Sequence, residues 1–160
     1  MTYSVATESD IDEIALYYAR SQKEQSGNMD DVFINNLRKE SRNYLLKVFE
    51  DNCQVTYIAR DEMNINRLVS FATVYFFSTL PSIDNHSGKI AFMKSLYIDP
   101  AYKSNDVSCE ICRKLLSECR TRGYNYVLVG AKEEERRFYR DCGFHEDDGM
   151  MILNMNNDVL

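Results

Sequence analysis

Apolar residues recur every three or four positions in two stretches near the start of the chain. The first stretch, residues 9–22, carries an apolar stripe made of Ile11, Ile14, Ala15 and Tyr18. The second stretch, residues 30–50, carries a stripe made of Phe33, Leu37, Tyr44, Leu45 and Val48. This spacing predicts two amphipathic helices, separated at Gly27 and Asn28 and preceded by a short strand over residues 2–6.

Alternating and β-branched residues dominate the middle of the chain and predict strands. The remaining predicted elements, in chain order, are strands over residues 54–60, 67–78 and 90–98, a helix over about 106–122, a strand over 125–130, a helix over 133–142 and a strand over 149–155. The helix between strands 90–98 and 125–130 predicts a right-handed parallel crossover. The predicted fold class is therefore α/β, with a mixed, mostly antiparallel central sheet flanked by helices in one domain over residues 1–160.

The composition and net charge of the chain indicate which classes of binding partner are expected. The chain has 160 residues, 28% of them charged, and a formal net charge of −6. Nucleic acids and acidic membranes select basic surfaces, so neither is expected as the main partner, whereas cationic amines suit an acidic protein. No apolar run approaches the length of a membrane span, and no secretion signal precedes the first strand, so a cytoplasmic protein is expected.

Five cysteines, an odd count, favour reduced thiols rather than a disulfide framework. Cys109 and Cys112 have the spacing of a redox or metal pair, but neither a second pair nor a suitably spaced histidine accompanies them. Cys112, Leu115 and Cys119 also fit one apolar helical stripe. We therefore predict that these cysteines pack as small apolar side chains and that the chain has no metal site.

Residues 96–123 read as the end of a strand, a turn at Pro100, a polar loop and a helix that stops at Gly123. A loop that opens onto a helix N-terminus is a candidate anion site, because the first backbone N–H groups have no partner within the helix. The alternative is a self-capped helix, since Ser104, Asn105 and Asp106 are all good N-cap residues.

Residues 96–123, followed by the segment Arg-Phe-Tyr-Arg-Asp-Cys-Gly-Phe at 137–144, resemble the Gcn5-related N-acetyltransferases (GNAT). The resemblance covers nearly the whole chain. It implies the acyl-CoA N-acyltransferase fold, acetyl-CoA as cosubstrate, and direct transfer to an amine of a small molecule or peptide, with a homodimer left open. In that family the central strand carries a bulge, and the pantetheine arm bonds to backbone at positions that match Leu96, Tyr97 and Ile98.

The family's pyrophosphate loop has the pattern Arg/Gln-x-x-Gly-x-Gly/Ala. The matching residues, which the resemblance implies as cofactor-binding, are Lys103, Ser104, Asn105, Asp106, Val107 and Ser108. Lys103 keeps the positive charge, but Asp106 stands where the family has its first glycine. A carboxylate at ~5 Å from a phosphate charge costs roughly 3 kcal/mol at an effective dielectric constant of ~20.

The second family signature, Asn-x-x-Ala-x-x-x-Tyr ahead of Gly-Phe, is matched at Tyr139 but not at Lys132 or Glu135. By resemblance, Tyr139 is the residue that protonates the departing CoA thiolate, and a phenol with a pKa near ~10 can do so as the C–S bond breaks. The alternative is a tyrosine that only packs, beside Phe138 and Phe144. The departures also leave open a catalytically weak or inactive GNAT-fold domain that binds or regulates.

The segment 80–89 is dense in turn residues and too long for a tight hairpin, so it is predicted to be a functional loop. It resembles the corresponding loop in a subgroup of small bacterial family members, where it lies beside the acceptor pocket. His86 lies in this loop, where a solvated histidine is the ordinary interpretation.

Overall fold

The computed structural model describes residues 1–27, 30–102 and 105–146, with every side chain in these ranges except those of Ser95 and Asn105. The chain divides into two compact units, Met1–Gly130 and Ala131–Leu160. The predicted strand over 149–155 lies outside the described residues, as do Lys103 and Ser104 of the predicted phosphate loop.

The first unit contains three α-helices and five strands within its described residues. In chain order they are β1 (Thr2–Val5), α1 (Ile11–Ser26), α2 (Asp31–Glu50), β2 (Gln54–Asp61), β3 (Arg67–Ser78), β4 (Lys89–Ile98), α3 (Asn105–Thr121) and β5 (Tyr126–Val129). The second unit contains α4 (Glu133–Asp141). These elements confirm the predicted ones to within a few residues at each end. None of the helices in the described ranges is long and apolar enough to cross a membrane.

The five strands form one sheet in the order β1-β2-β3-β4-β5. Neighbouring strands are antiparallel except for β4 and β5, which run parallel from the pair Ile90 and Tyr126 to the pair Met93 and Val129. The helix α3 makes the connection between these two strands. The predicted mixed, mostly antiparallel sheet is therefore confirmed, as is the parallel pairing of the two strands that α3 connects.

The two faces of the sheet are covered by different helices. The stripe of α1 is buried as predicted, at Ile11, Ile14 and Ala15, whereas α3 packs against β2, β3 and β4. Of the predicted stripe of α2, only Leu45 and Val48 are buried, whereas Phe33 and Tyr44 are 49% and 46% exposed. Where α2 diverges from the core in this way, space is left between the helix and the sheet.

The loop between β3 and β4 is held by its own hydrogen bonds. The backbone N–H of Thr79 donates to the carbonyl oxygen of Gly88 at 2.8 Å, and that of Ser82 donates to the carbonyl oxygen of Asn85 at 3.0 Å. The side-chain amide of Asn85 donates to the carbonyl oxygen of Lys89 at 3.0 Å. The segment therefore forms a series of hydrogen-bonded turns.

Gly88 is the residue of this loop that tolerates least change. It has φ of +66°, and a Cβ atom there would lie 2.3 Å from the carbonyl oxygen of Thr79. Gly27 offers a matched control, because its φ is +71° with nothing near its Cβ position. We expect Gly27→Ala to cost ~1–2 kcal/mol of unfolding free energy from backbone strain alone. Gly88→Ala should cost ~1–3 kcal/mol more because of the overlap. Urea unfolding of both variants measures this, and equal losses would contradict it.

All five cysteines are thiols, and Cys112 and Cys119 are buried on the inner side of α3. Burial raises the pKa of Cys119 to about 11. Cys109, on the same helix, is half-buried.

This difference predicts selective alkylation. Because the thiolate is the reactive form, Cys119 should react with iodoacetamide at pH 8 at least ~100-fold more slowly than Cys109 in the folded protein. The two rates should converge in denaturant. Peptide mass mapping over time measures both rates, and similar rates in the folded protein would contradict the burial of Cys119.

Candidate active site

A β-bulge interrupts the central strand. The register between β3 and β4 shifts by one residue between Lys94 and Tyr97. Two residues of β4, Ser95 and Leu96, therefore lie opposite the single residue Ala72 of β3. A bulge of this kind bends the strand and leaves part of its backbone outside the ladder.

Beyond the bulge, β4 continues without its parallel neighbour. The ladder to β5 pairs Ile90–Met93 with Tyr126–Val129 and ends there, so residues 94–98 have no β5 partner among the described residues. Leu96 and Ile98, two of the predicted backbone contacts, are half-buried along this stretch. Unpaired strand backbone of this type can hydrogen-bond to an extended ligand that lies alongside it.

The helix α3 begins shortly after the end of β4. It starts at Asn105, so Asp106 lies inside the first turn rather than at the N-cap, and the Asp106 side chain is exposed. Val107 and Ser108 are 5% and 4% exposed, so their side chains belong to the core and only their backbone can face a ligand. The backbone N–H groups of Asn105, Asp106 and Val107 are among those that lack partners within the helix.

A cleft of about 580 Å³ opens between the sheet and the helices α1 and α2. Its apolar walls are formed by Ile14, Leu37, Leu45, Phe71 and Phe92. Three tyrosines, Tyr18, Tyr44 and Tyr75, also line it. Burial raises the pKa of Tyr75, and the neighbouring Tyr44 raises it further, so Tyr75 remains a neutral phenol at physiological pH. It can therefore donate a hydrogen bond in the cleft but does not act as a base.

Two charged side chains complete the lining of this cleft. Glu40 projects from α2 and Lys94 from β4, directly before the bulge. Both side chains are exposed to solvent, and neither makes an ion pair within the described residues. The cleft therefore offers one negative and one positive group to a ligand, on two different elements.

In the second unit, Tyr139 is buried on α4, with 6% of its surface exposed. Its ring packs edge-on against Phe138 and Phe144, with centroid distances of 5.0 and 5.7 Å. Glu135, where the family has alanine, accepts a hydrogen bond from the backbone N–H of Lys132 at 3.0 Å and closes the first turn. This contact gives the Glu135 side chain a structural role in capping α4.

The first unit has a bulged central strand whose ladder to β5 ends before the bulge, followed closely by the start of α3. These features agree with the result of a sequence comparison. Residues 15–144 match the family described as Acetyltransferase (GNAT) family. The chain belongs to the GNAT acetyltransferase family. Membership implies acyl transfer from acetyl-CoA.

Solved structures share the GNAT fold with this chain at low sequence identity. A predicted acetyltransferase from Clostridium acetobutylicum, solved with acetyl-CoA, is 21% identical with a TM-score of 0.82, over 97% of this chain and 96% of that one. A GCN5-related N-acetyltransferase from Ralstonia eutropha is 14% identical with a TM-score of 0.79, over 96% and 97%. Glucosamine-6-phosphate N-acetyltransferase from Arabidopsis thaliana is 15% identical with a TM-score of 0.68, over 97% and 99%. No curated protein matches the chain at a significant level.

Asp99 stabilises the turn between β4 and α3 in this GNAT chain. The sequence did not lead to a prediction of this role. Its backbone N–H donates to the carbonyl oxygen of Val69 at 2.8 Å, and its carbonyl oxygen accepts from the N–H of Tyr102 at 2.8 Å. Its buried carboxylate accepts from the N–H of Ala101 at 2.9 Å and pairs with Arg67. The sequence feature that could have indicated this role is the position of Asp99 directly before Pro100, at the end of a predicted strand.

The backbone of Tyr97 was predicted to contact the pantetheine arm, and the side chain of Tyr97 packs in the core. The ring is buried and packs against Tyr17 and Phe71, with centroid distances of 5.2 and 5.4 Å. Burial, reinforced by the Asp99 carboxylate, raises the pKa of Tyr97 to about 12. The side chain therefore stabilises the core beneath the bulge, and only the backbone of Tyr97 is left to contact a ligand.

The predicted functional loop before β4 is not among the elements that line the cleft. Lys94 and Glu40, which do line it, were not singled out from the sequence. The signal for Lys94 was a lysine in the middle of an otherwise apolar central strand. Glu40 carried no signal, because an exposed glutamate is ordinary on any amphipathic helix.

Proposed function

We propose that the whole chain, residues 1–160, acts as one N-acetyltransferase domain that moves an acetyl group from acetyl-CoA to a primary amine by direct transfer. The observation that carries this proposal is the continuous segment from the bulge of β4 to the first turn of α3. Among the described residues, it provides strand backbone that has no β5 partner, for an extended arm, and the first N–H groups of a helix, which have no partner within the helix, for an anion. This pairing suits a ligand that has both an amide-containing chain and a pyrophosphate.

The roles of binding residues follow from this arrangement. Backbone groups at Leu96, Tyr97 and Ile98 would hold the pantetheine amides, because their strand edge has no other partner. The N–H groups of Asn105–Val107, together with the charge of Lys103, would hold the pyrophosphate. Ser104 and Ser108 complete this loop, and the buried Ser108 side chain restricts its contribution to backbone.

The chemistry requires polarisation of a carbonyl and protonation of a leaving sulfur. Bound acetyl-CoA supplies an activated acyl group. The backbone N–H near Leu96 would polarise the thioester carbonyl, because the bulge takes that part of β4 out of the ladder. Tyr139 would donate its phenolic proton to the sulfur. The acceptor amine would lose its first proton to solvent, since neither a carboxylate nor a histidine occurs along β4.

One observation favours a second function. The exposed carboxylate of Asp106 lies in the first turn of α3, where phosphate would approach, and it opposes the binding of an anion. A GNAT-fold domain that binds weakly and regulates, without catalysis, is therefore the second candidate.

An assay of thioester consumption separates the two. The protein is incubated with acetyl-CoA and a panel of primary amines, and free CoA thiol and acetylated product are measured by absorbance and mass spectrometry. The proposal predicts thiol release that depends on both protein and amine. Binding of acetyl-CoA without amine-dependent release would favour the regulatory candidate, and absence of both would refute the proposal.

A further inference from the structure

The cleft beside the bulge has a charge pattern that selects among amines. It is large enough, at about 580 Å³, for an amino-acid-sized molecule. A simple alkylamine or a polyamine would pair with Glu40 but would leave Lys94 without an anionic partner. A ligand that carries one cation and one anion would satisfy both groups.

The position of Lys94 indicates where the anionic group of such a ligand would bind. Lys94 pairs in register with Thr73, directly precedes the two residues of the bulge and lines the cleft. It therefore lies next to the part of β4 where the thioester carbonyl is expected. A carboxylate held by Lys94 would therefore lie close to the reacting amine. In an α-amino acid the two groups are attached to the same carbon atom, which matches this placement.

The remaining walls determine the side chain. Phe71, Phe92 and Leu37 present apolar surface, and Tyr44 and Tyr75 add aromatic rings. Burial of an apolar or aromatic side chain against such walls is favourable. A charged side chain would lose hydration there without gaining a partner, because Glu40 and Lys94 would already pair with the amino and carboxylate groups of the ligand.

We propose that the acceptor is a free α-amino acid with an apolar side chain, held by its carboxylate at Lys94; this rests on the N-acetyltransferase function proposed above. The amino acid first releases one proton to solvent. Its nitrogen then forms a bond to the acetyl carbon and gives up a second proton as the C–S bond breaks. The sulfur leaves with the electron pair and takes up one proton, so that one proton is released overall. The products are the N-acetyl amino acid and the free thiol.

The test compares L-phenylalanine with phenethylamine, which is the same molecule without the carboxylate. With acetyl-CoA as donor, kcat/KM for L-phenylalanine should exceed that for phenethylamine by ~10-fold, because only the amino acid can form the charge-assisted hydrogen bond between its carboxylate and Lys94. Lys94→Gln should abolish this preference by lowering kcat/KM for phenylalanine alone. Glu40→Gln should lower the values for both amines by a similar factor.

Lys47→Gln is the matched control, because Lys47 is exposed on the last turn of α2 and does not line the cleft. It should leave the preference unchanged. An equal or higher kcat/KM for phenethylamine, or a preference that survives Lys94→Gln, overturns the amino-acid proposal while acetyl transfer stands.

Direct binding decides the same question if no amine is acetylated, a result that would refute the acetyltransferase function itself. Saturation-transfer NMR then compares L-phenylalanine and phenethylamine on the wild-type protein and on the Lys94→Gln variant. Preferential binding of phenylalanine that is lost in the variant supports the assignment of the cleft. Equal binding of the two compounds, or no binding of phenylalanine, overturns it.

Discussion

Tyr139→Phe is expected to lower kcat by ~10²–10⁴-fold with little change in the affinity for acetyl-CoA, because the substitution removes only the proton that the leaving sulfur would receive. The aromatic ring stays, so its edge-on contacts with Phe138 and Phe144 should be kept. Steady-state kinetics and calorimetric titration with acetyl-CoA measure the two quantities separately.

Tyr124→Phe provides a matched control for this substitution. Its ring packs against Phe76 with a centroid distance of 4.7 Å, so it loses a hydroxyl from a packed tyrosine to which no catalytic role is assigned. It should retain wild-type turnover. If Tyr139→Phe also retains full turnover, Tyr139 serves only to pack α4, and the proton must reach sulfur by another route.

Asp106→Gly is expected to tighten acetyl-CoA binding by up to ~100-fold. The carboxylate lies in the first turn of α3, and removing one like charge at ~5 Å from phosphate gains up to roughly 3 kcal/mol before screening by solvent. Calorimetry on the wild-type protein and the variant decides it. Equal or weaker binding by the variant would show that the carboxylate does not oppose the phosphates.

Asp106→Ala separates charge from backbone. Both substitutions lose the favourable interaction of an acid with the helix N-terminus, ~0.3–1 kcal/mol, but only glycine adds a helix-propensity cost of up to ~1 kcal/mol. We therefore expect alanine to bind acetyl-CoA about as tightly as glycine and to unfold at higher urea concentration. Asp51→Ala, at the exposed C-terminal end of α2, is the control for overall charge and should leave binding unchanged.

The fold could be predicted because each element leaves a local signal. The stripes of α1 and α3, the hairpin of β2 and β3, and Gly123 with its φ of +76° all follow from spacing and backbone preference. The crossover then fixes β4 and β5 as parallel neighbours. The half-exposed start of α2 could not be predicted, since an apolar stripe looks the same whether it meets a packed core or an open cleft.

The candidate site could be predicted only in part, because only some of its residues are close together in the sequence. The loop before α3 could be proposed as a phosphate site from the sequence, because its candidate residues are consecutive in the chain. The cleft assembles residues far apart in the chain, and Glu40 and Lys94 gain meaning only when α2 and β4 are brought together. Asp99 likewise depends on Arg67, which lies on another strand.

Calorimetric titration of the wild-type protein with acetyl-CoA tests the central claim most directly. The claim predicts saturable binding at one site, weaker than that of the Asp106→Gly variant, and a matching rise in melting temperature, because a ligand that binds only the folded state stabilises it. Neither heat nor thermal stabilisation at millimolar acetyl-CoA would contradict the assignment of the segment from β4 to α3 as an acetyl-CoA site.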